Sequence, residues 1–138
     1  MTESLAIGVD LGGTKIAFAL IDRQGTVLKV HHAPTLAEEG PPAVLDRIAA
    51  GIRTLLDEAE RPVAGIGIGS PGHLDPAAGV VHNAVNLGWR GVQVYDELRD
   101  RLPPDLPLRL QKDTNAAAVG EMLFGAARGV RDFVYLAV

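Results

Sequence analysis

An α/β fold, a mixed sheet flanked by helices, is the class this sequence predicts, on three observations. Short runs rich in Val, Ile, Leu and Ala alternate with turn signals over the first third of the chain. Beyond them, apolar runs alternate with segments of helical spacing, the pattern of helices laid over a sheet. Aromatic residues make up 4% of the chain and hydrophobic residues 47%, which suits strands buried by small aliphatic side chains.

The elements follow in order. Leu5 to Asp10 is a strand that ends in the turn Gly12-Gly13-Thr14, and Lys15 to Ile21 is a second strand. "DRQG" at 22–25 turns the chain into a third, Thr26 to His32. Tight turns make these three antiparallel neighbours. "APTLAEEGPP" at 33–42 reads as a loop, with Pro42 suited to the first turn of a helix. Val44, Ile48, Ile52, Leu55, Leu56 and Ala59 recur at helical spacing, so Ala43 to Glu60 is an amphipathic helix stopped by Arg61-Pro62.

Val63 to Gly69 is a strand whose alternate glycines leave one face bare, followed by the loop "SPGHLDPAAG" and a brief extended piece, Val80 to Val85. Val94 to Leu102 is predicted helical up to Pro103-Pro104, and Leu106 to Gln111 is a strand. Thr114 to Ala127 is an alanine-rich helix and Phe133 to Val138 a final strand. Strands linked by helices pair in parallel, so the sheet is mixed. The last strand has no cover behind it, and further chain is expected to follow.

Length and charge narrow the class. The 138 residues fit one domain with one core. No run approaches the roughly 18 unbroken apolar residues of a membrane span, and "MTESLAIGVD" does not resemble a signal peptide. The absence of cysteine excludes disulfides and thiolate metal ligands. A formal charge of −4, with 13 Lys and Arg scattered along the chain, argues against a nucleic-acid partner. A cytoplasmic location is the expectation.

Four stretches could carry chemistry. In Asp10-Leu11-Gly12-Gly13-Thr14-Lys15, glycines permit positive φ and expose amides. With the Thr14 hydroxyl and the Lys15 ammonium these would cradle phosphate oxygens. Asp10, at a strand's carboxyl end, suits Mg²⁺; a plain Gly-Gly hairpin fits the same residues. In "QKDTNAAAVGE" at 111–121, Asp113 stands where a catalytic carboxylate or a helix N-cap belongs. "GIGIGSPGHLD" at 65–75 permits close approach of a ligand or of another backbone segment. "NAVNLGW" at 83–89 offers amides to a hydroxyl-rich ligand, while Trp89 reads as a core plug. His31, His32, His73 and His82 show no metal-ligand spacing.

Together, "GVDLGGTKIAFALID" at 8–22, "GIGIGSPGHLD" at 65–75, "AVNLGWRG" at 84–91 and "DTNAAAVGE" at 113–121 resemble the ROK family of sugar kinases and repressors, its bacterial glucokinases above all. The resemblance implies an actin-like, ribonuclease-H-like ATPase fold, of which residues 1–138 would form the N-terminal lobe with the second lobe absent. It implies ATP and Mg²⁺ as cofactors, bound through Asp10, Gly12, Gly13, Thr14 and Lys15, and a hexose as substrate. Asp113 is similar to the family's catalytic base and Asn86 to its sugar-contacting asparagine. Ser70, Pro71 and Gly72 would line the sugar pocket with Lys112 and Asp113.

The resemblance also marks departures. Lys112 replaces the family's usual asparagine, and its ammonium would either lower the pKa of Asp113 or point into solvent. The second glycine-rich phosphate loop, the zinc site and the adenosine pocket belong to later parts of the family's sequence, so the chain alone is expected to be inactive. Homo-oligomers form in the family. A sugar-sensing repressor is the alternative, set against by the first strand starting near Leu5, with no room ahead for a DNA-binding helix pair. A non-catalytic sugar or nucleotide module is the other.

Overall fold

The computed structural model describes residues 3–113. Eight strands and two α-helices follow in the order β1 (Leu5–Leu11), β2 (Lys15–Ile21), β3 (Val27–Pro34), α1 (Pro41–Glu58), β4 (Val63–Ser70), β5 (His73–Asp75), β6 (Val80–Ala84), β7 (Trp89–Gln93), α2 (Val94–Arg99) and β8 (Leu108–Lys112). The main sheet has five strands in the order β3-β2-β1-β4-β8. β1, β2 and β3 pair antiparallel, and β4 joins β1, and β8 joins β4, in parallel. This is the predicted mixed sheet. The segments 114–127 and 133–138, predicted as helix and strand, lie outside the described residues.

Side-chain alternation explains which face is covered. Leu5, Ile7, Val9 and Leu11 of β1, Ile16, Phe18 and Leu20 of β2, Ile66 and Ile68 of β4 and Leu108 and Leu110 of β8 are all buried on one face. Helix α1 covers it with Val44, Leu45, Ile48, Ala49, Ile52 and Leu55. Gly51, in the same helix, has a packing reason: a Cβ there would stand 2.3 Å from the ring of Phe18. The helix therefore lies close to β2, and burial of Phe18 offsets the cost of a helical glycine, about 1 kcal/mol.

Helix ends differ from the sequence expectation for local reasons. α1 begins two residues earlier, at Pro41, because Gly40 (φ +92) turns the chain and both prolines fit the first turn. α2 ends at Arg99 rather than Leu102, since the residue before Pro103 is driven out of the α region. The segment 33–42 is not wholly irregular: it holds a short 3₁₀ turn, Ala37–Glu39.

The larger correction is a second sheet. The extended piece at 80–85 is β6, and it pairs antiparallel with two strands not expected from the sequence, "HLD" (β5) and "WRGVQ" (β7), in a meander β5-β6-β7. These strands are too short for period-2 alternation to show. Trp89, at the start of β7, is fully buried, as a core plug should be. Its indole N–H has no hydrogen-bond partner among the described residues.

Tyr95 of α2 joins the two sheets. Its hydroxyl donates to the Pro76 carbonyl (3.0 Å) and accepts the Leu110 N–H of β8 (2.7 Å). Tyr95→Phe would leave both backbone groups unpaired, so it is expected to lower stability by about 1–3 kcal/mol. Urea denaturation checks this; a loss well under that range would mean that water replaces the hydroxyl.

Candidate functional site

Strand order locates the site. The chain leaves β1 toward β2 and β3 on one side, then returns on the other side as β4 and β8. Ligands of open α/β sheets bind outside the carboxyl ends of parallel strands where the order reverses in this way. Here that point is the edge of β1 and β4. Asp10 of β1 lies level with Gly69 of β4, which lies level with Gln111 of β8. Asp10 is exposed on the face opposite the α1-covered core, and Gly69 places no side chain beside it.

The turn after β1 is a tight hairpin in which the Gly12 N–H donates to the Lys15 carbonyl (3.0 Å). Two expectations change here. Gly12 and Gly13 do not adopt positive φ; they are needed for close approach. A Cβ on Gly12 would stand 2.8 Å from the Lys15 carbonyl oxygen, and one on Gly13 would stand 3.1 Å from Cβ of Asn86. The Gly12 amide is also consumed by the hairpin. Among the described residues the amides of Gly13 and Thr14 have no acceptor, and Thr14 and Lys15 are exposed.

From this turn a line of contacts runs through the other stretches. Gly13 abuts Asn86, an exposed residue of the 3₁₀ turn Val85–Leu87. Three residues back along the chain, the Asn83 carbonyl oxygen and Ala84 press on Gly72, where an added Cβ would stand 2.2 Å from that oxygen. Gly72 has φ +94, a conformation that an L side chain resists. Its carbonyl accepts a hydrogen bond from Lys112 Nζ at 2.9 Å. Asp113 follows directly, half-buried at the carboxyl end of β8. Residues of the first three stretches and the described start of the fourth, Lys112 and Asp113, thus meet along one edge of the main sheet.

Two assignments are refined. Lys112 is exposed, and its ammonium ties the end of β8 to the loop after β4. Ser70 is corrected as a pocket-lining side chain. It lies on the covered face with Ile66 and Ile68, is fully buried, and its hydroxyl donates to the Pro71 carbonyl (3.0 Å). Pro71 and Gly72, both half-buried, are the part of that loop that reaches the edge.

Thr35, in the segment 33–42 that the sequence presents as a loop, also reaches the turn after β1. Thr35 is fully buried and bonds to the 12–14 turn through both its hydroxyl and its amide. Nothing in "APTLAEEGPP" signals this, because the partners are carbonyls 21 to 23 residues away. Among the described residues no group of three or more His, Cys, Asp or Glu could hold a metal ion. No described helix is long and apolar enough to cross a membrane.

Residues 6–138 match the ROK family. The chain belongs to that family. It is 35% identical over 130 residues to the glucokinase of Streptomyces coelicolor, covering 94% of this chain and 39% of that protein. The ROK family glucokinase of Streptomyces griseus, solved in complex with glucose and AMPPNP, superposes with a TM-score of 0.79 at 36% identity, covering 91% of this chain and 38% of that one. A xylose repressor from Bacillus spizizenii is 27% identical over 135 residues, 96% of this chain and 34% of the repressor. The chain spans about two-fifths of the length of the glucokinases it matches. The ROK sugar kinases share the actin-like ATPase fold, and the mixed sheet of this chain is part of it.

Proposed function

We propose that this chain forms the N-terminal lobe of an ATP-dependent hexose kinase with glucose as its sugar. The observation that carries the reading is the single line of contacts from the Gly12-Gly13 turn through Asn86 and Gly72 to Lys112, with Asp113 next to it. Phosphoryl transfer needs positioning and charge neutralisation more than covalent help, and this edge offers both.

In this reading the Gly13 and Thr14 amides, the Thr14 hydroxyl and the Lys15 ammonium hold phosphate oxygens of ATP. Asp10 is exposed at the carboxyl end of β1, and one carboxylate together with phosphates and water suits Mg²⁺. The ion would neutralise charge on the phosphates. Asn86, Pro71, Gly72 and Lys112 border the sugar. Asp113 accepts the proton of the sugar hydroxyl as its oxygen bonds to the γ-phosphorus and the bond to ADP breaks. The glucose and AMPPNP in the Streptomyces griseus relative support both halves of the assignment.

Coupled ADP release from the intact protein, with Mg-ATP and a panel of hexoses, tests the reading. Saturable, glucose-dependent release is expected, with none from residues 1–138 alone. Sugar binding by calorimetry without turnover in the intact protein would favour the repressor-like reading.

A further inference from the structure

Thr35 stands at the centre of a buried brace behind the 12–14 turn. Its hydroxyl donates to the Gly12 carbonyl at 2.7 Å, and its N–H donates to the Thr14 carbonyl at 2.8 Å. Its own carbonyl accepts from Arg47 of α1 at 2.8 Å, and Arg47 is paired in turn with Glu39. The next residue, Leu36, is the one non-glycine with positive φ (φ 50) among the described residues. A leucine in that region is strained, and such strain persists where surrounding contacts over-determine the backbone. It occurs beside a candidate phosphate site.

A peptide unit is planar, and all the described ones are trans, so the carbonyl of one residue and the N–H of the next point in opposite directions. Anchoring the Gly12 carbonyl on the Thr35 hydroxyl therefore turns the Gly13 N–H away from the protein interior. The second bond, to the Thr14 carbonyl, holds the far side of the same turn. A glycine pair without such anchors would sample several conformations, and an anion would have to select one of them.

We infer that Thr35, held by Arg47, is the positioning residue that aims the turn's amides at the nucleotide phosphates and so sets affinity for ATP. This rests on the kinase reading of the turn. Being fully buried, Thr35 touches neither substrate. Its effect passes through the backbone of residues 12–14.

Three variants of the intact protein test it: Thr35→Val, which keeps the shape and removes the donor, Thr35→Ser, which keeps the donor, and Arg47→Met. Thr35→Val is expected to raise KM for ATP about tenfold, the worth of one hydrogen bond. KM for glucose should change less than twofold, and Thr35→Ser should restore the ATP value. Without nucleotide, hydrogen exchange at the Gly13 and Thr14 amides should change in Thr35→Val and not in Thr35→Ser. Should Thr35→Val fail to fold, Arg47→Met, at a part-exposed position, is expected to raise KM for ATP about threefold.

An ATP KM within twofold of the unaltered protein in the folded variants, or equal rises in both KM values, overturns the inference. An unaltered protein with no saturable dependence on ATP overturns the kinase reading as well, which separates the two failures.

Discussion

Under the proposed kinase reading, replacing Asp113 with Asn is expected to lower kcat of the intact protein by about 10²–10⁴-fold, the usual worth of a general base. Melting temperature and KM for glucose should stay close to their original values. The substitution is chosen because the residue has two possible duties. Asp113 follows directly on β8, and its residue type also suits a helix N-cap. Asparagine caps a helix about as well as aspartate, so it preserves that duty while removing the proton acceptor. A kcat within threefold of the original, together with a stability loss seen only in Asp113→Ala, would leave the residue as a cap and remove it from the mechanism. The measurements are steady-state ADP release and thermal unfolding on the same samples.

Gly72→Ala is expected to have the second largest effect, on stability and sugar affinity together. The backbone there has φ +94, and an added methyl would meet the Asn83 carbonyl oxygen at 2.2 Å and the Ala84 Cα at 2.8 Å. Backbone atoms cannot swing aside as a flexible side chain does. The strained dihedral alone is worth on the order of 1–3 kcal/mol, and relief of the clash must displace either the loop after β4 or the end of β6. The first movement breaks the tie from Lys112 and the second shifts Asn86 against Gly13. Either route disturbs residues proposed to border the sugar. KM for glucose should therefore rise about tenfold or more, for a loss of over about 1.4 kcal/mol in binding, while the ATP KM changes less. A variant with unchanged glucose KM and a lowered melting temperature would confine Gly72 to a folding role. Its effect differs in kind from that of Thr35→Val, which acts on the nucleotide side.

The strands of the main sheet were legible because β1, β2 and β4 are apolar or glycine-alternating runs of seven or eight residues, each closed by turn residues. A helix of 18 residues with a buried stripe is equally plain. β5 and β7 were not: three and five residues carry too little periodicity to separate a strand from a loop. Their pairing depends on a meander that buries Trp89. The glycine turn, the SPG loop and Asp113 were visible as motifs, but the reason given for the glycines was wrong in kind. Freedom of φ is a property of the residue alone, whereas Gly12 and Gly13 answer to the positions of the Lys15 and Asn86 backbones. Ser70 was misassigned for a related reason: its parity on β4 turns its hydroxyl inward.

Local periodicity and short motifs, read from the residues in order, were thus enough for the α/β class, the mixed sheet and the four stretches that resemble a sugar kinase. These features act through neighbours a few positions apart, and such information is written along the chain. The brace of Thr35 and Arg47, the tether from Lys112 to Gly72 and the contact of Gly13 with Asn86 came from packing. Each joins residues 12 to 73 positions apart, and those distances close once the sheet has chosen its strand order and register.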